Sequence, residues 1–182
     1  MNSKVNTSLL EMQMERERCE KEHLFFTRRF FLPRMGFKFS VNWHHEYIAD
    51  KIDEVIAGKV KNLVINVPPG SGKTELLTNL IARGIARNAR SRFLYLSFSQ
   101  SLVEDVSSTA RNIVKSEDFQ GLWPVKISTS TDAKSSWKTT VDGYDAGHVY
   151  SASMGGQVTG RRAGTLANEG FTGAIILDDP LK

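Results

Sequence analysis

Apolar residues along this chain fall into two kinds of pattern. Leu76, Leu77, Leu80, Ile81, Gly84 and Ile85 recur at three- and four-residue spacing, as do Leu102, Val103, Val106, Ala110, Ile113 and Val114. Both series predict helices with one buried face, the second opening near Ser101 as its N-cap. Elsewhere the apolar residues are continuous: Leu63, Val64, Ile65 and Val67 before Pro68 and Pro69, Phe93 to Phe98, and Ala174 to Leu177 before Asp178, Asp179 and Pro180. Short runs bounded by turn residues predict buried strands. From Val41 onward strand and helix alternate, which predicts an α/β fold with a parallel sheet and helices on both of its faces.

Two regions interrupt that alternation. Between Trp123 and Tyr150 the chain turns polar, with serine and threonine clustered through ISTSTDAKSSWKTT, and short strands or loops are expected. VDGYDAG, residues 141–147, reads as the turn of a hairpin whose second strand is His148 to Ala152. The following SMGGQVTGRRAG is too irregular for a regular element. At the other end, Glu11, Glu15, Arg16, Glu17, Arg18, Glu20, Lys21 and Glu22 form a charged run, read as a solvated helix or a loose lead-in. HLFFTRRFF then sets four phenylalanines around Arg28 and Arg29, in a helix expected to end at Leu32 because the residue before Pro33 is pushed from helical angles. The preferred reading is an aromatic patch that docks this arm on the core; nucleic-acid contact by the two arginines is the alternative.

A length of 182 residues fits one compact domain and is short for two. Residues 1–40 are read as a helical arm or lid, and 41–182 as the main domain. A hydrophobic share of 40% and a charged share of 24% exclude a wholly disordered chain and a repetitive fibre. Cys19 is the single cysteine, so no intramolecular disulfide is possible, and no apolar run approaches the roughly 18 residues of a membrane-spanning helix. No charged, apolar and cleavage-site sequence opens the chain, so export is not expected. The net charge of +4 suits a polyanionic partner without naming one.

Chemistry concentrates in VPPGSGKT, Val67 to Thr74, between a predicted strand and a predicted helix. That is the setting of a phosphate-binding loop. Glycines at 70 and 72 let backbone N–H groups close on an anion where a Cβ would obstruct it, and the helix opening at Lys73 adds donors and its positive dipole end. Pro69, Gly70, Ser71, Gly72, Lys73, Thr74 and Glu75 are therefore the candidate nucleotide-binding residues. Lys73 would reach the β- and γ-phosphates of ATP and the Thr74 hydroxyl would ligate Mg2+. Val67 stands where the motif's first glycine is usual, so Pro68 and Pro69 must shape the turn differently. Asp178, at the end of the last predicted strand, is the candidate for orienting Mg2+, and Asp179 for polarising the attacking water. The bland alternative is that Asp-Asp-Pro simply ends a strand. The strand directly after the loop's helix ends in SFSQ without a carboxylate, so the acids sit on a later strand. That order favours ATPases with a strand inserted between the loop strand and the acid strand over P-loop kinases.

With these residues in hand, the chain resembles the N-terminal ATPase domain of tailed-phage large terminase subunits, motors that package DNA into a prohead. The resemblance runs from about Val41 to Lys182 through four blocks in order: the segment VNWHHEYIADKIDEVIAGKVKNLVINVPPGSGKT, then FLYLSFSQSLVEDVSSTARNIVKSEDFQGLWP, GGQVTGRRAG and AIILDDPLK. It implies a RecA-like P-loop ATPase sheet of the inserted-strand class, here ending after the acid-bearing strand. It implies that Trp43 and His44 or His45 lie beside the adenine, although from the residues alone Trp43 reads as a core anchor and the histidines as ordinary. It implies that Arg161 or Arg162 reaches a γ-phosphate, in the same subunit or a neighbour; a solvated or DNA-facing basic loop is the competing reading. Arg83, Arg87, Arg90 and Arg92 read first as cations suited to a helix C-terminus, and only second as DNA contacts.

The same resemblance implies double-stranded DNA, a portal ring and a small terminase subunit as partners, a homo-oligomeric ring as the assembled state, and the host cytoplasm as the location. The family often has Asp-Glu where this chain has Asp178 and Asp179, which leaves the rate of hydrolysis open. Its ribonuclease-H-like nuclease domain has no counterpart in these 182 residues, so DNA cleavage is not expected of them. A helicase-like DNA translocase and a non-catalytic nucleotide-binding or assembly module are the alternative functions.

Overall fold

A computed structural model of the chain describes residues 2–156, 158–165 and 170–181, with side chains from residue 9 onward. Gln157 of the glycine-rich block and Lys182 of the last block lie outside the described residues. The elements in chain order are α1 (Asn2–Lys21), α2 (His23–Met35), α3 (Trp43–Ile56), α4 (Lys73–Arg87), β1 (Arg92–Ser97), α5 (Gln100–Lys115), α6 (Glu117–Leu122), β2 (Lys126–Asp132), β3 (Ser136–Val141), β4 (Tyr144–Ser153) and β5 (Ile175–Asp178). The five strands form one sheet in the order β2-β3-β4-β1-β5.

The α/β expectation holds, but the sheet is mixed. β1 pairs in parallel with β4 and β5, in the register Tyr95↔Ser151 and Tyr95↔Ile176. β2, β3 and β4 pair antiparallel, because short turns join them and a short turn can only reverse the chain. The VDGYDAG turn is as expected: Asp142 and Gly143 both have positive φ, 53° and 81°, which matches the twist of the flanking strands.

The helices occupy one face only. Phe93, Tyr95, Trp137, Val149 and Ile176 share a core with α2, α3, α4, α5 and α6. On the other face Leu94, Leu96 and Ala152 are covered by Tyr150, Val158 and Ala163, with no helical residue among those described. Ile175 and Leu177 on that face of β5 are 60% and 57% exposed. Helices on both faces are therefore not what the described residues show.

Residues 63–67 form no ladder with any of the described residues. Leu63, Ile65 and Val67 still turn inward against the core while Val64 is exposed, the alternation of a strand without its hydrogen-bonded neighbour. β5, the last strand in the sheet, pairs with β1 alone. No described strand pairs with the other edge of β5, so the inserted strand expected from the order of the acids has no counterpart among the described residues.

The arm is built into the core. Phe26 and Phe30 pack with their ring centres 4.6 Å apart; both meet Trp123, and Phe30 also meets Phe119, within 6.3 Å. The charged run is helical, braced by pairs four residues apart such as Arg16–Glu20 at 3.0 Å. Arg29 is engaged by Glu15 and, at 2.8 Å, by Asp118, which removes it from the nucleic-acid reading; Arg28 stays exposed. Contrary to expectation α2 runs through Pro33 to Met35. The proline falls in the last turn, where it forfeits one hydrogen bond, and Gly36 at φ 76° closes the helix on the Leu32 carbonyl. The N-cap of α5 is Ser99 rather than Ser101, its Oγ accepting from the Leu102 N–H at 3.3 Å.

Arg83 corrects the surface reading of its helix. It is 1% exposed, donates to the Cys19 and Glu20 carbonyls at 3.0 and 2.8 Å, and pairs with Asp53. Arg87 donates to the same Glu20 carbonyl at 2.5 Å. The two arginines therefore satisfy carbonyls that the end of α1 leaves without helical partners.

His23 makes the fold sensitive to acid. It is fully buried with Nε2 3.0 Å from the Leu76 carbonyl, and burial, with the Arg83 charge adding to it, pushes its pKa down to about 3. Between that value and the ordinary 6.5 the unfolded chain binds the proton that the folded chain refuses, so stability falls as pH falls through this window. The expected loss is up to about 1.4 kcal/mol per pH unit from this residue. Urea melts at pH 7 and pH 5 should show it, and His23→Gln should flatten the difference; an unchanged pH slope in the variant would reject the assignment.

Candidate functional site

Residues 68–72 wrap into a turn that ends in α4, with the Ser71 N–H on the Pro68 carbonyl at 3.3 Å. Gly70 and Gly72 have φ of 78° and 75°, a region that side chains disfavour. At Gly72 a Cβ would also stand 2.8 Å from His45 Nε2, so glycine is required there twice over. Gly72 is the N-cap of α4, and the first N–H groups of that helix open toward the loop. Val67 in place of the usual glycine stands just before the turn, which starts at Pro68 and runs through Pro69 and Gly70.

Two histidines hold the loop from behind. His45 Nδ1 accepts from the Asn42 N–H at 3.0 Å, which leaves the proton on Nε2 to donate to the Ser71 carbonyl at 2.8 Å. Burial lowers the His45 pKa against the opposing pull of that carbonyl, with His44 adding to the decrease, so the ring is neutral at pH 7. His44 Nε2 lies 3.2 Å from the same carbonyl. Phe39 packs edge-on to His45 and Phe31 edge-on to Phe39, a chain of rings from the arm to the loop. Trp43 is 78% exposed beside His44, which overturns its reading as a core anchor and leaves an open aromatic face next to the loop.

In front of the loop stand the acids. Lys73 Nζ lies 2.6 Å from Asp179 Oδ1 and 2.9 Å from Asp178 Oδ1. Desolvation pulls the Lys73 pKa down, but hydrogen bonds and charge from Asp179 and Asp178 outweigh it and the pKa is raised. Thr74 Oγ1 donates to Asp178 Oδ2 at 2.9 Å. The Asp178 side chain is fully buried while that of Asp179 is 71% exposed, so one acid is fixed in the protein and the other faces solvent. Asp179 has φ 44°, uncommon outside glycine and a feature that clusters at functional sites.

The remaining sequence-derived candidates are placed differently. The Glu75 carboxylate turns to the arm, meeting Arg34 of α2 and Asn79 of its own helix, the latter at 2.6 Å. Arg161 lies 4.2 Å above the Tyr150 ring. Arg162 is exposed, and neither arginine bonds to the loop or to Asp178 and Asp179. Sequence reasoning missed Tyr95, whose hydroxyl donates to Asp178 Oδ2 at 2.6 Å, and Arg34. Tyr95 left a signal: a tyrosine inside a fully apolar strand needs a partner for its hydroxyl.

A loop lysine and threonine meeting a buried strand-end aspartate is the arrangement of a P-loop nucleoside triphosphatase. Residues 38–178 match the family described as type III restriction enzyme, res subunit. The chain belongs to this family. As a res-subunit family member it is a helicase-like P-loop ATPase by class, which agrees with the α/β fold and with ATP as the ligand of the loop. This grouping is coarser than the terminase resemblance of the sequence. Neither the curated proteins nor the solved structures give a match. No helix among the described residues is long and apolar enough to cross a membrane.

Proposed function

We propose that the chain hydrolyses Mg2+-bound ATP to drive movement along double-stranded DNA, as the ATPase part of a large-terminase-like packaging motor. The observation that carries the ATPase reading is the convergence of Lys73, Thr74 and Asp178 within 2.9 Å contacts at the mouth of a glycine loop. The donor set fits Mg2+: one carboxylate and one hydroxyl, both hard oxygens, leave the other positions to phosphate and water. Bound there, Mg2+ would neutralise charge on the β- and γ-phosphates. The loop N–H groups and Lys73 would cradle the phosphates, and the exposed face of Trp43 would take the adenine, with His44 and His45 fixing the loop. Asp179, free in solvent once Lys73 turns to phosphate, would orient water for in-line attack on the γ-phosphorus and accept its proton, with ADP leaving. Arg161 or Arg162 would come to the γ-phosphate only after a rearrangement or from a neighbouring subunit.

The DNA, portal-ring and small-subunit partners, the ring assembly and the host cytoplasm all belong to the packaging-motor level of this reading. The exposed Ile175 and Leu177 of β5 and the segment 63–67, which has no ladder among the described residues, favour a second reading, a nucleotide-binding module without turnover. The deciding experiment is release of phosphate from Mg2+–ATP by the purified chain, with and without duplex DNA. Turnover that rises with duplex DNA supports the motor; binding without turnover leaves the second reading, and no binding rejects both.

A further inference from the structure

The carboxylate of Asp178 is held by a side chain outside the loop. Tyr95, in the middle of β1, is completely buried, and its hydroxyl donates to Asp178 Oδ2 at 2.6 Å. Thr74 Oγ1 donates to the same oxygen at 2.9 Å. The other oxygen, Oδ1, has no aligned hydrogen bond and meets Lys73 only as an ion pair at 2.9 Å. The two oxygens are thus inequivalent: Oδ2 is saturated from within the protein, and Oδ1 is turned toward the loop. Register explains the contact. Tyr95 is the partner of Ile176 and its side chain points to the helical face, as does that of Asp178 two residues further along β5.

We propose that Tyr95 is a positioning residue for the metal-binding aspartate, holding Asp178 so that Oδ1 faces the Mg2+–phosphate group when Thr74 and Lys73 leave it for that ligand. The inference rests on the ATPase reading above. In the resting chain three groups restrain Asp178, and two of them, Thr74 and Lys73, are the ones a bound Mg2+–nucleotide recruits. Without Tyr95 the carboxylate would lose its remaining neutral donor at the moment it must be still. A carboxylate oxygen can only accept, so in this contact the phenol is the donor. A donor behind a metal-binding carboxylate sets the orientation and the affinity of the oxygen that meets the metal.

The test is Tyr95→Phe, which keeps the ring and its packing and removes the donor. Binding of a fluorescent N-methylanthraniloyl ATP is titrated against Mg2+ in the wild type, in Tyr95→Phe and in Lys73→Ala, with thermal melts alongside. The expected result is that Tyr95→Phe needs about tenfold more Mg2+ for half-maximal enhancement of binding, while its metal-free nucleotide affinity stays at the wild-type value. Three results would overturn the proposal. Wild-type Mg2+ dependence in Tyr95→Phe, with binding lost in Lys73→Ala, removes Tyr95 and leaves the ATPase reading intact. Equal weakening with and without Mg2+, together with a lowered melting temperature, makes Tyr95 a packing residue. Absence of Mg2+-dependent binding in the wild type removes the ATPase reading and the role of Tyr95 with it.

Discussion

Lys73→Ala is expected to reduce ATP turnover by at least about 10²-fold and also to destabilise the folded chain in the absence of nucleotide. The first effect follows from removing the cation that would meet the β- and γ-phosphates. The second follows from the resting structure. Lys73 is the counter-charge of Asp178, whose side chain has no exposure, and alanine would leave that carboxylate with two neutral donors, Thr74 and Tyr95. Breaking a fully buried pair from one side costs about 3–5 kcal/mol; the 18% exposure of Lys73 lets water and Asp179 reduce the loss below that. Lys73→Arg separates the two effects, since it keeps the charge and should recover stability without restoring turnover, because a planar guanidinium does not reproduce a compact ammonium. Phosphate release and urea midpoints measure the pair. Undiminished turnover in Lys73→Ala would remove the loop from catalysis, and an unchanged midpoint would show that Asp178 does not depend on it.

How far these features could be read from residues alone depended on how local their causes are. The loop, α4 and the acid pair were legible because glycine conformational freedom, the 3.6-residue period and a strand-ending Asp178 are written within a dozen positions. The mixed sheet was not. β4 is parallel to β1 on one side and antiparallel to β3 on the other, and its alternation is the same in either case. Residues 63–67 carry the strand pattern correctly, yet a ladder is a property of two segments and the second is not supplied among the described residues. Burial of Arg83 is hidden from the sequence for the same reason: its partners, Cys19, Glu20 and Asp53, come from α1 and α3, and nothing near position 83 announces them. Trp43 shows the converse case, a residue whose hydrophobicity argued for the core while its place at the start of α3, beside the loop, leaves it in solvent.

Asp179→Asn should divide binding from turnover more cleanly than any change in the loop. The side chain is 71% exposed and the pair with Lys73 is its polar contact, so its loss costs stability well under about 1 kcal/mol. Asparagine also tolerates the positive φ of 44° better than most residues, so the backbone there has no new reason to move. Nucleotide binding should be unchanged or tighter, because in the resting chain Asp179 competes with phosphate for Lys73, and the amide competes only weakly. Turnover should fall by about 10²-fold or more if Asp179 is the residue that orients water and takes its proton. Asp179→Glu adds a methylene and restores the carboxylate, but a glutamate at positive φ strains the backbone by about 1 kcal/mol. It should therefore recover part of the lost turnover while melting slightly lower. Equilibrium binding of the fluorescent nucleotide and single-turnover phosphate release measure the two halves separately. Full turnover in Asp179→Asn would mean that the water is held by another group, and a parallel loss of binding would mean that Asp179 supports the loop rather than the reaction. The geometry argues against both, since Asp178 is already saturated on one oxygen and ion-paired on the other, and Asp179 is the carboxylate beside the loop that solvent can reach.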